Sequence, residues 1–282
     1  MPQKPPTIRQ KRLGAELRKL REAAGMSGED AAEALECGQA KISRIETGTN
    51  GIRPFELRGL LSAYGVTDPK LVDSLVDMAK EGRRQGWWNH YGSTLPGIAD
   101  LAHLEAKAVT VQVWQTVLVP GLLQTADYMR ALFRGGRHDY DEADAERCVE
   151  ARTTRQAVLG KPDAPELTAL VYEAVLRAEV GGREVMRDQL RHLADLVEGG
   201  RARIQVMPFS AGVHGGLDGP FVLYGLLPTG MDVVIMDSLA GAAYLEKDED
   251  VRRYRVLFDT LRKAALAPDP SLELIKKLAV GP

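Results

Sequence analysis

The chain has 282 residues, 44% of them hydrophobic and 27% charged, with a formal net charge of −2. This is the balance of an ordinary globular protein, and the length suits two domains. No run of about 18 apolar residues occurs and no apolar segment follows the basic N-terminus, which argues against a membrane span or a secretory signal. The two cysteines, Cys37 and Cys148, have no paired spacing and suit a reducing cytoplasm.

In chain order, residues 1–7 hold three prolines and read as an unstructured arm. A long helix is predicted over Ile8–Ala24, with Leu13, Leu17 and Leu20 on one stripe and Gly25 as its stop. Two short helices joined by a tight turn follow over Ser27–Thr47, then helices over Pro54–Tyr64 and Pro69–Lys80. These five helices form an all-α domain over residues 1–80, and residues 81–88, opening on Gly82-Arg83-Arg84-Gln85-Gly86, read as a linker. Beyond it, Val109–Val119 reads as extended or mixed, and Gln124–Phe133 and Asp141–Leu159 as helices. Leu167–Tyr172 is a strand candidate, and Arg183–Val197 a clear amphipathic helix. Arg203–Met207, Phe221–Leu226 and Met231–Met236 are further strands, and a last helix runs over Asp248–Leu266. The expected fold is multi-domain: the helical domain, then an α+β domain over 89–282 with a largely antiparallel sheet.

The pair of short helices carries the clearest functional signal. Ser27 with Asp30 three residues on is the spacing for mutual capping. Ala31, Ala32 and Leu35 form a small inward face that a second helix can cross closely. That second helix turns Ile42 and Ile45 inward, so Gln39, Ala40, Lys41, Ser43 and Arg44 point outward. A helix with a buried face this small and a polar, cationic outer face is one that a DNA major groove admits. The net charge of −2 hides a concentration of the opposite sign. Residues 1–21 hold seven Lys/Arg against the single acid Glu16, a local charge of +6, and such clustering is the electrostatic footprint of nucleic-acid binding.

Ile42-Ser43-Arg44-Ile45-Glu46-Thr47-Gly48, with Leu13–Arg21 upstream, resembles the Cro/repressor-type helix-turn-helix family, often called XRE. Trp87-Trp88, the stretch Val119-Pro120-Gly121-Leu122-Leu123-Gln124-Thr125 with Tyr128, and Gly219-Pro220-Phe221 resemble its actinobacterial WhiJ-like branch, which ends in a domain of unknown function. The family usually has Gly at the turn and Ser or Thr at the next N-cap, where this chain has Glu36 and Gly38. The resemblance implies a DNA-binding regulator, and the small interface that one such module makes points to a dimer on a two-fold site. The resemblance also implies a small protein partner encoded nearby, as in toxin–antitoxin pairs. It further implies that a basic residue late in the first helix pairs with the Glu before the closing Gly. Those positions are Arg21 and Glu46 here.

The expected DNA interface comprises Lys11, Arg12, Arg18, Lys19, Ser27, Gln39, Ala40, Lys41, Ser43, Arg44 and Thr47. Cations of the first helix and helix N-termini meet phosphates, while Gln39, Lys41 and Arg44 read base edges. Gln pairs with adenine and Lys or Arg with guanine. The expected setting is cytoplasmic, nucleoid-associated when bound to double-stranded DNA, with no membrane partner.

Motifs for chemistry are thin. There is no Walker-type loop, Gly-x-Gly-x-x-Gly or Gly-x-Ser-x-Gly, and the five histidines lack a metal spacing, so neither cofactor nor metal is expected. His214, in the Gly-rich loop 212–219, is the best single candidate nucleophile, faintly like the phospholipase-D sheet. Gly216, however, stands where that chemistry needs Lys. Trp87-Trp88 with Tyr91 read either as a ligand-stacking platform or as a packed wedge, the wedge being favoured. The Pro120–Gln124 stretch reads as an interior turn, or else Gln124 and Thr125 offer polar groups to a pocket. Both cysteines read as structural thiols. The alternative to a regulator is therefore a small-molecule sensor or residual enzyme built around His214.

Overall fold

Two glycines let the first helix cross the third at backbone contact. In the computed structural model, which describes residues 8–81, 98–135, 141–227, 232–238 and 241–281, α1 spans Ile8–Ala23, α2 Gly28–Ala34 and α3 Gln39–Glu46. A Cβ on Gly14 of α1 would lie 2.4 Å from the Ile45 carbonyl oxygen, and one on Gly48 2.6 Å from the Lys11 amide nitrogen. Gly48 also has φ +74°, which closes α3 in the left-handed region that glycine adopts without penalty. Leu13 and Leu17 of α1 and Ile42 and Ile45 of α3 fill the space beneath this crossing, each at most 6% exposed.

Helices α4 (Pro54–Ala63) and α5 (Pro69–Glu81) complete a first unit, residues 1–89. Pro54 opens α4 at a position whose amide would have no helical partner, and Leu57, Leu60, Leu61, Leu75 and Val76 bury at its core. Ser27 caps α2 as its spacing predicts: its Oγ accepts from the Asp30 amide at 3.1 Å, and the Asp30 carboxylate accepts from the Ser27 amide at 2.7 Å. The turn into α3 puts Glu36 at φ +49°, the one non-glycine there among the described residues. Gly38 opens α3 with no side-chain cap. The expected linker 81–88 starts one residue early, since Glu81 ends α5; its remainder, the arm 1–7, and Trp87, Trp88 and Tyr91 lie outside the described residues.

The second unit, residues 90–282, is built on six strands in the order β3-β2-β1-β4-β5-β6. These are β1 Ala108–Gln115, β2 Glu166–Tyr172, β3 Arg203–Met207, β4 Phe221–Leu226, β5 Val233–Ser238 and β6 Gly241–Leu245. β1 pairs with β4, β4 with β5 and β5 with β6 antiparallel, whereas β1–β2 and β2–β3 are parallel, so the sheet is mixed. The parallel half follows from its connections. α7 (Ala126–Gly135) and α8 (Glu142–Gln156) lie between β1 and β2, and α9 (Glu173–Arg177) and α10 (Arg183–Glu198) between β2 and β3. Helical crossovers return the chain in the same direction.

Alternate residues send side chains to two cores. Val111, Val113, Ala169, Val171 and Val206 pack with α10 and with α12 (Pro268–Val280). Trp114, Leu170, Phe221, Leu223 and Val234 pack against Phe258 and Leu261 of α11 (Asp248–Ala264). The sequence reading ended its last helix at Leu266, and the structure adds α12 beyond it. Pro268 sits in the first turn of α12, so it starts a helix rather than ending one. The α11–α12 junction also closes the β3 edge. Leu266 N donates to Val206 O at 2.9 Å, and Val206 N donates to Ser271 Oγ at 3.0 Å, which covers a strand edge that would otherwise be open. α6 (Ile98–Lys107), running straight into β1, and the short β6 are further elements the sequence reading did not include.

Replacing Gly14 by Ala forces a methyl group into backbone atoms that cannot yield, so the first unit should lose about 1–3 kcal/mol. Urea unfolding followed by far-UV circular dichroism measures this. Glu36→Gly relieves the left-handed residue and should raise stability by about 1 kcal/mol in the same assay.

Candidate nucleic-acid interface

Along α3, Gln39, Ala40, Ser43, Arg44 and Thr47 are exposed, while Ile42 and Ile45 on the opposite face are each 2% exposed. The exposed residues form one stripe because positions three and four apart stack on a helix. Gln39 lies beside the start of α2, with its side chain 3.5 Å from where a Gly28 Cβ would be. Gln39, Ala40, Ser43 and Thr47, with Arg18 and Arg21 of α1, line an open groove of about 480 Å³. Two polar side chains of the stripe fold back onto their own helix. Arg44 Nε donates to Ala40 O at 3.1 Å, and the Thr47 hydroxyl donates to Ser43 O at 2.8 Å. Both are local bonds that a ligand can exchange.

Beneath this stripe, Arg21 grips Glu46 with a two-pronged fork. Nε donates to Oε1 at 2.6 Å and Nη2 to Oε2 at 3.1 Å, while Nη1 donates to the Met26 carbonyl at 2.7 Å. The two side chains are only 12% and 10% exposed. The Glu46 hydrogen bond pushes the Arg21 pKa above its ordinary value. One guanidinium therefore joins α1, the end of α3 and the loop into α2, a use that suits the planar geometry of Arg. Tyr64 is packed close by. Its buried hydroxyl has no hydrogen-bond partner, and burial, reinforced by the Glu46 charge, pushes its pKa up to about 12.

Two expected DNA contacts need correction. Lys41 is half-buried and its Nζ holds Glu56 Oε1 at 2.7 Å, so it ties α3 to α4 rather than projecting with the stripe. Glu56 Oε2 in turn accepts from the Arg53 amide at 3.1 Å. The spacing Lys41–Glu56 spans two helices, so helical periodicity alone does not reveal it. Arg12 is 8% exposed, so its guanidinium belongs to the interior of the unit and not to its outer face. Lys11, Arg18 and Lys19 are exposed. Arg18 bonds Glu22 at 2.8 Å and Lys19 lies 3.9 Å from Glu16, both one turn apart. Ser27 is occupied as the α2 cap. The sequence reading passed over Arg53, an exposed cation at the mouth of α4, one hydrogen bond from the Lys41–Glu56 tie.

In the second unit, the polar residues singled out by sequence are part of the framework. Gln124 is 3% exposed. Its Nε2 donates to Val119 O at 2.7 Å, its Oε1 accepts from Arg152 at 2.9 Å, and its carbonyl accepts from Gln156 at 2.7 Å. The Thr125 amide donates to Gln189 Oε1 at 2.7 Å, and Gln189 Nε2 donates to Leu123 O at 2.8 Å. Pro120–Gln124 is thus an interior turn, and Gln124, unlike Thr125, also borders a cavity, so both readings left open for this stretch hold in part. His214 is wedged edge-on against Trp114, ring centroids 5.4 Å apart, and its Nδ1 accepts from the Gly216 amide at 3.2 Å. Its Nε2 is buried and has no hydrogen-bond partner. A side chain held this way packs the Gly-rich loop onto the sheet and presents no nucleophile. Cys148 is fully buried and Cys37 half-buried, both as free thiols.

A helix-turn-helix domain model matches residues 12–75, and a model described as a domain of unknown function (DUF5753) matches residues 98–277, more than half of the chain. The chain belongs to the DUF5753 family. Its DUF5753 portion runs from the start of α6 into α12 and takes in the whole sheet. The helix-turn-helix domain supports a DNA-binding regulator rather than an enzyme. No curated protein and no solved structure matches the chain significantly. Among the described residues of this DUF5753 protein, no helix is long and apolar enough to cross a membrane, and no group of three His, Cys, Asp or Glu is placed to hold a metal ion.

Glu46→Gln keeps the shape but removes the charge facing Arg21. Stability should fall by about 2–3 kcal/mol, between the small value of exposed pairs and the 3–5 of fully buried ones, measured as the urea midpoint of the first unit. The Lys41 hydrogen bond holds the Glu56 carboxyl below its ordinary value of 4.5. A depressed folded-state pKa contributes stability that is present above the unfolded value and is lost as pH falls through the folded one. Acid titration of Glu56→Gln should therefore lack a component of the destabilisation that the parent chain shows below pH 4.5.

Proposed function

We propose that this chain is a sequence-specific transcriptional regulator of the XRE, WhiJ-like kind, acting in the cytoplasm, with α3 laid in the major groove. The observation that carries this reading is the exposed stripe Gln39, Ala40, Ser43, Arg44 and Thr47, on a helix whose C-terminal end is clamped by the Arg21–Glu46 fork. A reading helix needs a fixed angle to the groove, because base contacts are lost when it rocks by an ångström. Gln39 and Arg44 are assigned to base edges. Lys11, Arg18 and Lys19 are assigned to phosphates, their surface pairs to Glu22 and Glu16 being weak enough to exchange. Lys41 keeps its place as a positioning residue and Arg53 joins the phosphate set.

A single module of this size makes a small DNA interface, so a homodimer on a two-fold site is the working assembly. The DUF5753 unit is assigned to dimerisation and to sensing a small protein partner. That assignment rests on the antitoxin-like resemblance of the sequence. The packing of His214 gives no support to the enzyme alternative.

Operator affinity, measured by fluorescence anisotropy, should fall steeply with salt. Four phosphate contacts per protomer, eight for the dimer, correspond to a slope of about −7 in log K against log[salt]. Arg44→Ala or Gln39→Ala should cost about 1–3 kcal/mol on operator DNA and little on random DNA. Lys11→Ala should weaken both alike. A flat salt dependence, or equal losses on both DNAs for all three variants, overturns the assignment.

A further inference from the structure

The second unit contains an ion pair that its own residues leave incomplete. Glu105 of α6 is 2% exposed and the Arg155 side chain of α8 9%; Glu105 Oε2 lies 3.1 Å from Arg155 Nε. Despite that distance the alignment makes no hydrogen bond, and both atoms are buried without a hydrogen-bond partner. The Tyr224 hydroxyl reaches the other carboxylate oxygen only at 3.5 Å. Burial dominates here and pushes the Glu105 carboxyl up to about 7, against the pull of Arg155. A half-satisfied buried pair is less favourable than an apolar replacement of the same volume. The surrounding core, by contrast, satisfies its glutamines fully.

The pair also lines a cavity of about 290 Å³ between α6, β1, the start of β4 and the Pro120–Leu122 turn. That is about twice the space known to hold a benzene molecule in an engineered core. The wall is mainly apolar, including Leu101, Val113, Leu122 and Val222, and the exposed Val117 is at its rim. Gly121 lies beneath it: a Cβ there would come 2.7 Å from Arg155 Nη2 and displace the end of that side chain. The charged groups around the space are Glu105, Asp237, Arg152 and Arg155, two of each sign.

We propose that this cavity is a binding site for an uncharged, amphipathic small molecule with a carboxamide or lactam head and an apolar body of about ten carbons. The wall is mainly apolar with groups of both signs among it, and an ion entering it would give up its hydration, which is costly. An amide head carries both an N–H to donate to the Glu105 carboxyl and a carbonyl to accept from the Arg155 guanidinium, and both residues line this wall. The apolar body takes the place of water against the valine and leucine wall. The site lies wholly within the DUF5753 unit and does not depend on the DNA-binding reading.

The test is isothermal titration of the full-length protein, without DNA, with cyclohexanecarboxamide as the probe and cyclohexanecarboxylate and cyclohexylamine as charged controls. The amide should bind saturably at one site, with a Kd below about 1 mM, and at least about tenfold more tightly than either ion. Val222→Trp fills the cavity from β4 and should abolish the binding heat while circular dichroism and Tm show a folded chain. Glu105→Gln should weaken the amide if it folds; the cavity-filling variant decides the matter if it does not. No saturable heat up to about 10 mM of the amide, equal binding of the ions, or binding that survives in Val222→Trp overturns the proposal. Operator affinity is measured separately, so such a failure leaves the DNA-binding reading untouched.

Discussion

The backbone-to-backbone crossing of α1 and α3 is the constraint on which the first unit depends. Because Gly14 and Gly48 carry no Cβ, carbonyl and amide groups of the two helices approach to distances that a methyl group would forbid. That approach brings Arg21 within reach of both Glu46 oxygens and the Met26 carbonyl. It also leaves room for only two large apolar side chains on α3, Ile42 and Ile45, and so leaves Gln39, Ala40, Ser43 and Arg44 turned outward. The polar stripe is thus a consequence of close packing on the other side.

The same logic governs which cations are offered to a partner. Of the basic side chains described on α1, Arg12 turns inward, Arg21 is spent on Glu46, and Lys11, Arg18 and Lys19 remain outside. On α3, Lys41 is drawn to Glu56, which also caps the start of α4. The local positive charge of the N-terminal segment is therefore divided between structure and surface. For Arg21 and Lys41 a glutamate on a neighbouring helix decides the case, because a partly desolvated cation gains more from a fixed carboxylate than from water.

In the second unit, the Val119–Thr125 stretch shows how a buried irregular segment is made stable. A loop beneath helices loses water from its carbonyls, and each must find another donor. Gln124, Gln156 and Gln189 supply these donors and acceptors from three separate places in the chain. Trp114 does the same for the Gly-rich loop, donating to the Gly216 carbonyl at 2.9 Å. Gly216 has to be glycine because a Cβ would fall 2.6 Å from that indole. Against this background the Glu105–Arg155 pair and His214 Nε2 stand out as buried polar groups without such a donor or acceptor.

Much of the fold was legible in the sequence because it is encoded locally. The period of Leu13 and Leu17, the Ser27–Asp30 cap, the inward Ile42 and Ile45, and the β-branched runs of β1 to β5 all report their own neighbourhood within a few residues. α12 was missed because Pro268 reads locally as a breaker, and only its place in the first turn makes it a start. The parallel pairing of β1–β2–β3 is likewise a matter of where crossovers return, not of strand composition. The sequence by itself determined the helix-turn-helix, its outward residues and the alternation of strands and helices. Only the tertiary structure decided that Lys41 and Arg12 leave the surface, that His214 is packed, and that Glu105 meets Arg155 fifty residues away beside a cavity. The physical reason is that a charge or a hydrogen bond is settled by its nearest partner in space, and for these residues that partner is distant in the chain.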